Sequence, residues 1–320
     1  MILYNMNLRL IKIKNVAAHH VSMADVDDFE SSILELSSPE ICYESVYLRK
    51  LFKPSIALII NKLCPKYKDP AFCISMGASV VSRGIPHMFF SSGNILYLFD
   101  AWPETYNSIK KIIKAYNIDL LLVSSSESAE NLRDLLPDIT VEYCPEGCRT
   151  GIYRAAEYNE KDIDVIQIGR KYDLWHSKVI DKFHQDRVNY IYEKVKGEVI
   201  FLNRDDFING LGRSKISICF PKSLTHPAQS GRITTMTQRY LQSVASKCLI
   251  LGVIPDEMKE LFGYDPGVAV DMRDPAGQII DILDNFTDYI PLIEKNFTEC
   301  LNLHGWDKRW SKILEIIQNR

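Results

Sequence analysis

Residues 231–252, GRITTMTQRYLQSVASKCLILG, read in order as a helix start, a short helix and a buried strand. Thr234, Thr235 and Thr237 gather with Arg232 and Arg239 just where that helix begins. With its start near Thr237, the helix turns free N–H groups and the positive end of its dipole toward whatever lies ahead of it. Arg239 in the first turn is poorly placed for that dipole, which favours acidic residues, and a bound anion would offset the mismatch. Tyr240, Leu241, Val244, Ala245 and Cys248 supply the buried stripe, and Gln242 falls on a different face one turn in. Taken alone, the stretch leaves two readings open: threonine capping beside a surface arginine, or a cradle for an anion.

The surrounding chain alternates strand-like and helical runs. "SIALII" (55–60), "PHMFF" (86–90), "ILYLFD" (95–100), "DLLLVSS" (119–125) and "ITVEYC" (139–144) are apolar and of strand length. Residues 103–117 and 126–136 fill intervals as amphipathic helices, and residues 25–38 read as a capped helix behind the alternating "LRLIKIK" (8–14). Residues 145–162, with proline, two glycines and a charged tail, break the pattern and read as a linker. The alternation then restarts: "DVIQIG" strand, 173–195 helix, "EVIFL" (198–202) strand, 204–214 helix, "KISICF" (215–220) strand, the 231–252 stretch, "GVAVD" (267–271) strand, and helices to the end. Strands alternating with helices imply parallel sheets covered on both faces, and two such blocks imply two Rossmann-like α/β domains facing across a cleft. The expected boundaries are 1–146 for the first domain, 147–305 for the second, and 306–320 for a C-terminal helix packing back on the first.

The composition narrows the class of partner. With 320 residues, 46% hydrophobic and 25% charged, the chain suits sizeable globular cores. A net charge of −3 gives no global basic field for nucleic acid. The eight cysteines show no CxxC pair and no zinc-ligand spacing, so a metal site is not expected. The N-terminal residues lack the apolar core and cleavage site of a signal peptide, and the longest apolar run is too short to span a bilayer, so a cytoplasmic location is expected. Residues 47–68, basic and apolar together, read as a packed helix and strand or as a peripheral contact with the inner face of a membrane.

"DVIQIG" runs straight into Arg170 and Lys171. A glycine at the strand end allows a sharp turn, and two cations then follow where an α/β domain holds its ligand. That suits a diphosphate, although a solvated basic turn reads the same way. No GxGxxG is present, which weighs against a dinucleotide site and a dehydrogenase.

At this point a family likeness enters. "TQRYLQSVASKCLILG" resembles the T-x-R-x-x-E-x-x-A-x-G pattern of the GT-B group 1 glycosyltransferases, most of all the branch similar to spore-maturation glycosyltransferases. "PEGCRTGIYRAA" (145–156) resembles that family's interdomain linker, "DVIQIGRK" its first C-terminal strand and phosphate loop, and "LHGWDKRWSKILEII" (303–317) its closing helix. The resemblance implies a metal-independent transferase that moves a sugar from a nucleotide-diphosphate-sugar, UDP or GDP based, to an acceptor hydroxyl, with retention, in surface-glycan assembly. It implies that Arg170 and Lys171 contact the diphosphate, together with Thr234, Thr235, Thr237 and Arg239. By the same likeness Gln242 stands at the glutamate that bonds the ribose, and Asn203 lies in the loop of the nucleobase. His226, in the long "KSLTHPAQSGR" loop, reads as a sugar contact or a surface histidine. No cofactor beyond the donor is implied.

In the first half, "YLFDAWPETY" (97–106) places Asp100 and Trp102 at a strand end facing the expected cleft. Asp100 either orients the acceptor hydroxyl or caps the helix that starts at Pro103. Phe99 stands where the family carries histidine, Gln242 where it carries glutamate, and Lys247 where a helix-ending glycine is usual. Those departures keep open a catalytically degenerate sugar-nucleotide-binding subunit; the other alternative is a sugar-nucleotide epimerase of the same architecture, for which the C-terminal phosphate loops show no carboxylates.

Overall fold

The computed structural model describes residues 8–12, 24–43, 69–78, 87–91, 93–169, 171–195 and 197–320. The chain divides into two units: Met1–Glu146 with Gln229–Ile233 and Arg309–Arg320, and Gly147–Ala228 with Thr234–Lys308.

The first unit is built on strands β1 (Arg9–Lys12), β2 (Glu40–Tyr43), β3 (Ala71–Gly77), β4 (Asn94–Asp100), β5 (Ile118–Val123) and β6 (Thr140–Tyr143), in the order β2-β1-β3-β4-β5-β6. Every pairing is parallel. Parallel neighbours need crossovers, and helices α1 (Ala24–Ser37), α2 (Tyr106–Tyr116) and α3 (Ser126–Leu135) lie in the intervals between strands. Leu96, Tyr97, Leu98, Leu121, Leu122 and Val123 have no exposed surface, the pattern of strands covered on both faces. The Ser125 hydroxyl accepts from the Ser128 amide and starts α3, while Asn117, left-handed at φ 51°, ends α2. Trp310, from the C-terminal segment, is fully buried against Phe72 and Phe29, with ring centroids 5.1 and 6.2 Å away, and its indole N–H donates to Ser37 Oγ at 2.6 Å.

The second unit carries β7 (Ile163–Ile166), β8 (Tyr190–Ile191), β9 (Ser214–Cys219), β10 (Leu249–Gly252) and β11 (Val268–Ala269), in the order β11-β10-β9-β7-β8, again all parallel. Helices α4 (Asp173–Gln185), α5 (Arg204–Gly212), α6 (Gln238–Ala245), α7 (Asp256–Phe262), α8 (Pro275–Asp284), α9 (Ile290–Leu303) and α10 (Trp306–Gln318) complete the order. Gly252 ends β10 at φ 153°, where a Cβ would overlap the Cys219 carbonyl, so the strand end tolerates no side chain.

Three expectations are corrected. "PHMFF" supplies a helical turn, His87–Phe90, not a strand. The helix expected over 173–195 stops at Gln185, because Arg187 takes φ 57° and turns the chain into β8. "EVIFL" pairs with no strand; Leu202 is 84% exposed, and Phe201 packs instead on Phe207 at 6.1 Å. "SIALII" and the basic stretch 47–68 lie outside the described residues.

Candidate active site

The second unit supplies most of the expected cluster. The chain leaves β7 through the buried Gln167, which accepts at 2.7 Å from the Tyr190 hydroxyl and so ties the strand exit to β8. Two residues on, Gly169 turns at φ 72°. A Cβ there would lie 2.5 Å from Arg239 Nη2, so the guanidinium of Arg239 rests directly on the Gly169 backbone. Arg239, in the first turn of α6, therefore lies against the loop that follows β7. Arg170 itself lies outside the described residues.

Lys171 pairs with Asp173 at 3.7 Å and sits 5.7 Å from the Tyr192 ring centroid. Asp173 is 89% exposed, so this pair holds the ammonium by less than about 1 kcal/mol and yields it readily to a stronger anion. Tyr192 stacks on Tyr190 at 4.5 Å and 25°, and His176 faces Tyr192 at 4.5 Å. Burial, with the Lys171 charge added, holds His176 below its usual value of 6.5 and keeps it neutral at neutral pH.

At α6 the three threonines part company. Thr237 is the cap residue, extended at φ −108° and ψ 166°, and its hydroxyl makes no capping bond. Thr234 meets Ser223 Oγ at 3.2 Å. Thr235 turns inward: its hydroxyl and the Met236 amide both donate to Oε1 of Glu257, so the expected diphosphate contact of Thr235 is replaced by a buried carboxylate. Glu257 is a residue that the sequence reading missed. Gln242 is 8% exposed. It is buried although it falls on a different face from the apolar stripe, because α6 packs against β9, β10 and α9 and is covered on nearly every side.

Asn203 caps α5: its Oδ1 accepts from the Asp206 amide at 2.9 Å and its Nδ2 donates to Asp206 Oδ2 at 2.7 Å. The side chain amide expected at a nucleobase is thus committed to a helix end. Asn203→Ala is expected to lower stability by about 1 kcal/mol, measured by urea titration. The long loop before α6 folds as two helical turns, Lys222–Thr225 and Pro227–Ser230, and His226 closes the first through its amide to Lys222 O at 2.7 Å. In the first unit, Asp100 is the last residue of β4, in register with Gly77 of β3. The turn Pro103–Thr105 begins after Trp102, which makes no side-chain capping bond and is 4% exposed. Among the described residues, no group of three or more His, Cys, Asp or Glu is placed to hold a metal ion.

No protein-family model and no curated protein matches the sequence. Solved structures do. Sucrose-phosphate synthase from Thermosynechococcus elongatus is similar at a TM-score of 0.64 and 10% identity, over 98% of this chain and 99% of that one. Anabaena Alr3699/HepE, in complex with UDP-glucose, gives 0.61 and 10% identity over 98% of this chain and 100% of that one. S. aureus TarM, as a variant in complex with UDP, gives 0.56 and 14% identity over 82% of this chain and 58% of that one. The chain has the GT-B fold. In GT-B terms the loop after β7 and the start of α6 stand at the carboxyl ends of a doubly wound sheet, the end at which such sheets take their ligands. No helix among the described residues is long and apolar enough to cross a membrane.

Proposed function

We propose that the chain is a glycosyltransferase that moves a sugar from a nucleotide-diphosphate-sugar to an acceptor hydroxyl. The observation that carries this reading is Arg239, seated on the left-handed Gly169 at the head of α6. A guanidinium against Gly169, a loosely held lysine two residues further on and the first-turn amides of α6 are the groups that would receive a diphosphate. In the reaction Arg239, Lys171 and Arg170 hold the diphosphate and stabilise the charge that grows on it as the glycosidic bond breaks. Thr237, whose hydroxyl is not spent on capping, adds a donor. Gln242 is assigned to the ribose and Asp100 to the acceptor hydroxyl. The complexes of Alr3699/HepE with UDP-glucose and of TarM with UDP favour uridine over guanosine as the carrier. Retention of configuration, kinship with the spore-maturation branch, surface-glycan assembly and work at the inner membrane face extend the same reading from the sequence resemblance.

Calorimetric titration with UDP, GDP, ADP and CMP, without added metal, tests it. UDP is expected to bind in preference to the other three, and UDP-glucose to be turned over when acceptors are supplied. Silence from all four nucleotides in a folded sample removes the reading. One observation favours a second reading, a sugar-nucleotide-binding subunit without turnover: Glu257 occupies two donors of the loop ahead of α6. Binding of UDP with no transfer to any acceptor would select it.

A further inference from the structure

Glu257 lies in the first turn of α7 and is 5% exposed. Burying a carboxylate is costly unless donors replace the lost water. The helix dipole does not account for its position, since Asp256 beside it complements the same helix end while 91% exposed. The donors that meet Glu257 come from elsewhere: the Thr235 hydroxyl and the Met236 amide, 22 and 21 residues earlier in the chain. Both stand immediately ahead of Thr237 and α6. One carboxylate oxygen that accepts from both donors fixes the direction in which the chain enters the helix, and with it where Arg239 points.

We propose that Glu257 is the positioning residue of the donor site: it holds Thr235 and Met236 so that the head of α6 and Arg239 are set against Gly169 before the nucleotide arrives. The inference rests on the proposed function, because the preset loop is the diphosphate site of that reading. Glu257 touches no substrate; it acts through the loop. Preorganised donors lose less on binding than donors that must first be ordered, so the effect falls on affinity.

The test compares Glu257→Ala, Glu257→Gln, Thr235→Val and the Glu257→Ala/Thr235→Val double variant by UDP titration, with hydrogen exchange at the Met236 amide as a second readout. Glu257→Ala is expected to weaken UDP binding at least about tenfold and to speed Met236 exchange, whereas Glu257→Gln, which keeps an acceptor oxygen, restores most of both. Thr235→Val is expected to weaken UDP about threefold, and the double variant to bind no worse than Glu257→Ala alone, as for groups acting as one unit. UDP affinity unchanged in a folded Glu257→Ala overturns the inference and leaves the transferase reading standing. If that variant does not fold, unchanged affinity in Thr235→Val overturns it equally. A wild-type protein that binds none of the four nucleotides overturns the transferase reading and this inference with it.

Discussion

Gly169→Ala is expected to weaken UDP binding roughly ten- to hundredfold, Arg239→Ala to do the same, and the double variant to be no worse than either alone. Two effects meet at Gly169. Its φ of 72° lies in the left-handed region, where a Cβ costs about 1–2 kcal/mol of fold stability. The same Cβ would stand 2.5 Å from Arg239 Nη2, and the guanidinium is the part able to move. Alanine therefore lowers stability slightly and pushes the cation out of place. A hydrogen bond to a charged group is worth about 1.5–3 kcal/mol, which sets the size of the affinity loss. Removing the guanidinium by Arg239→Ala takes away the same contact with no backbone strain, so its thermal midpoint should match the wild type. The double variant tests the common cause: once the guanidinium is gone, Gly169→Ala has nothing left to displace. Calorimetry on the three variants, beside their thermal midpoints, separates the terms. Wild-type affinity in folded Gly169→Ala would remove Arg239 from the site.

Much of this site is legible in the order of residue types. β4, β5, β7 and β10 are largely apolar runs of strand length ended by polar residues or glycine, which is how a doubly covered parallel sheet writes itself. The start of α6 falls at Gln238, one residue past the expected Thr237, because an extended cap residue precedes the first helical one. What escaped reading depends on partners far along the chain. Glu257 behind Pro255 looks like an ordinary acidic first-turn residue; its burial and its bonds to Thr235 and Met236 are set by packing. Asn203 follows an apolar run and looks available, yet helix capping takes both ends of its amide. β8 was absorbed into a helix because its boundary is marked by Arg187 in a left-handed turn, a role that glycine or asparagine usually signals. β3, "AFCISMG", mixes serine and glycine into a buried strand, and only its neighbours β1 and β4 make it one.

Lys161→Met is expected to cost the second unit about 3 kcal/mol or more of stability, measured by urea unfolding. The sequence places Lys161 in the charged tail of a linker, where solvent would be its natural surroundings. In the fold it is 3% exposed, and its ammonium donates to the carbonyls of Gly212 at 2.9 Å, Ser214 at 2.8 Å and Ser246 at 3.2 Å. Two of those carbonyls lie at helix ends, Gly212 in the last turn of α5 and Ser246 after α6, where the dipole is negative and unpaired oxygens gather. One cation thus closes two helices beside β9. Methionine keeps the length and the packing of the stem but returns three buried oxygens to weaker partners: the Ala156 amide at Gly212, and the Cys248 thiol at Ser214 and Ser246. The pH dependence carries the sign of burial. Desolvation lowers the folded-state pKa of Lys161 below its usual 10.5, so within that window the unfolded chain binds the proton more tightly. Wild-type stability therefore gains from this group as pH rises through the window, and the gap between wild type and Lys161→Met should widen there. A variant as stable as the wild type would show that the two helix ends close without the ammonium, and a gap that stays flat toward 10.5 would show that the ammonium is solvated.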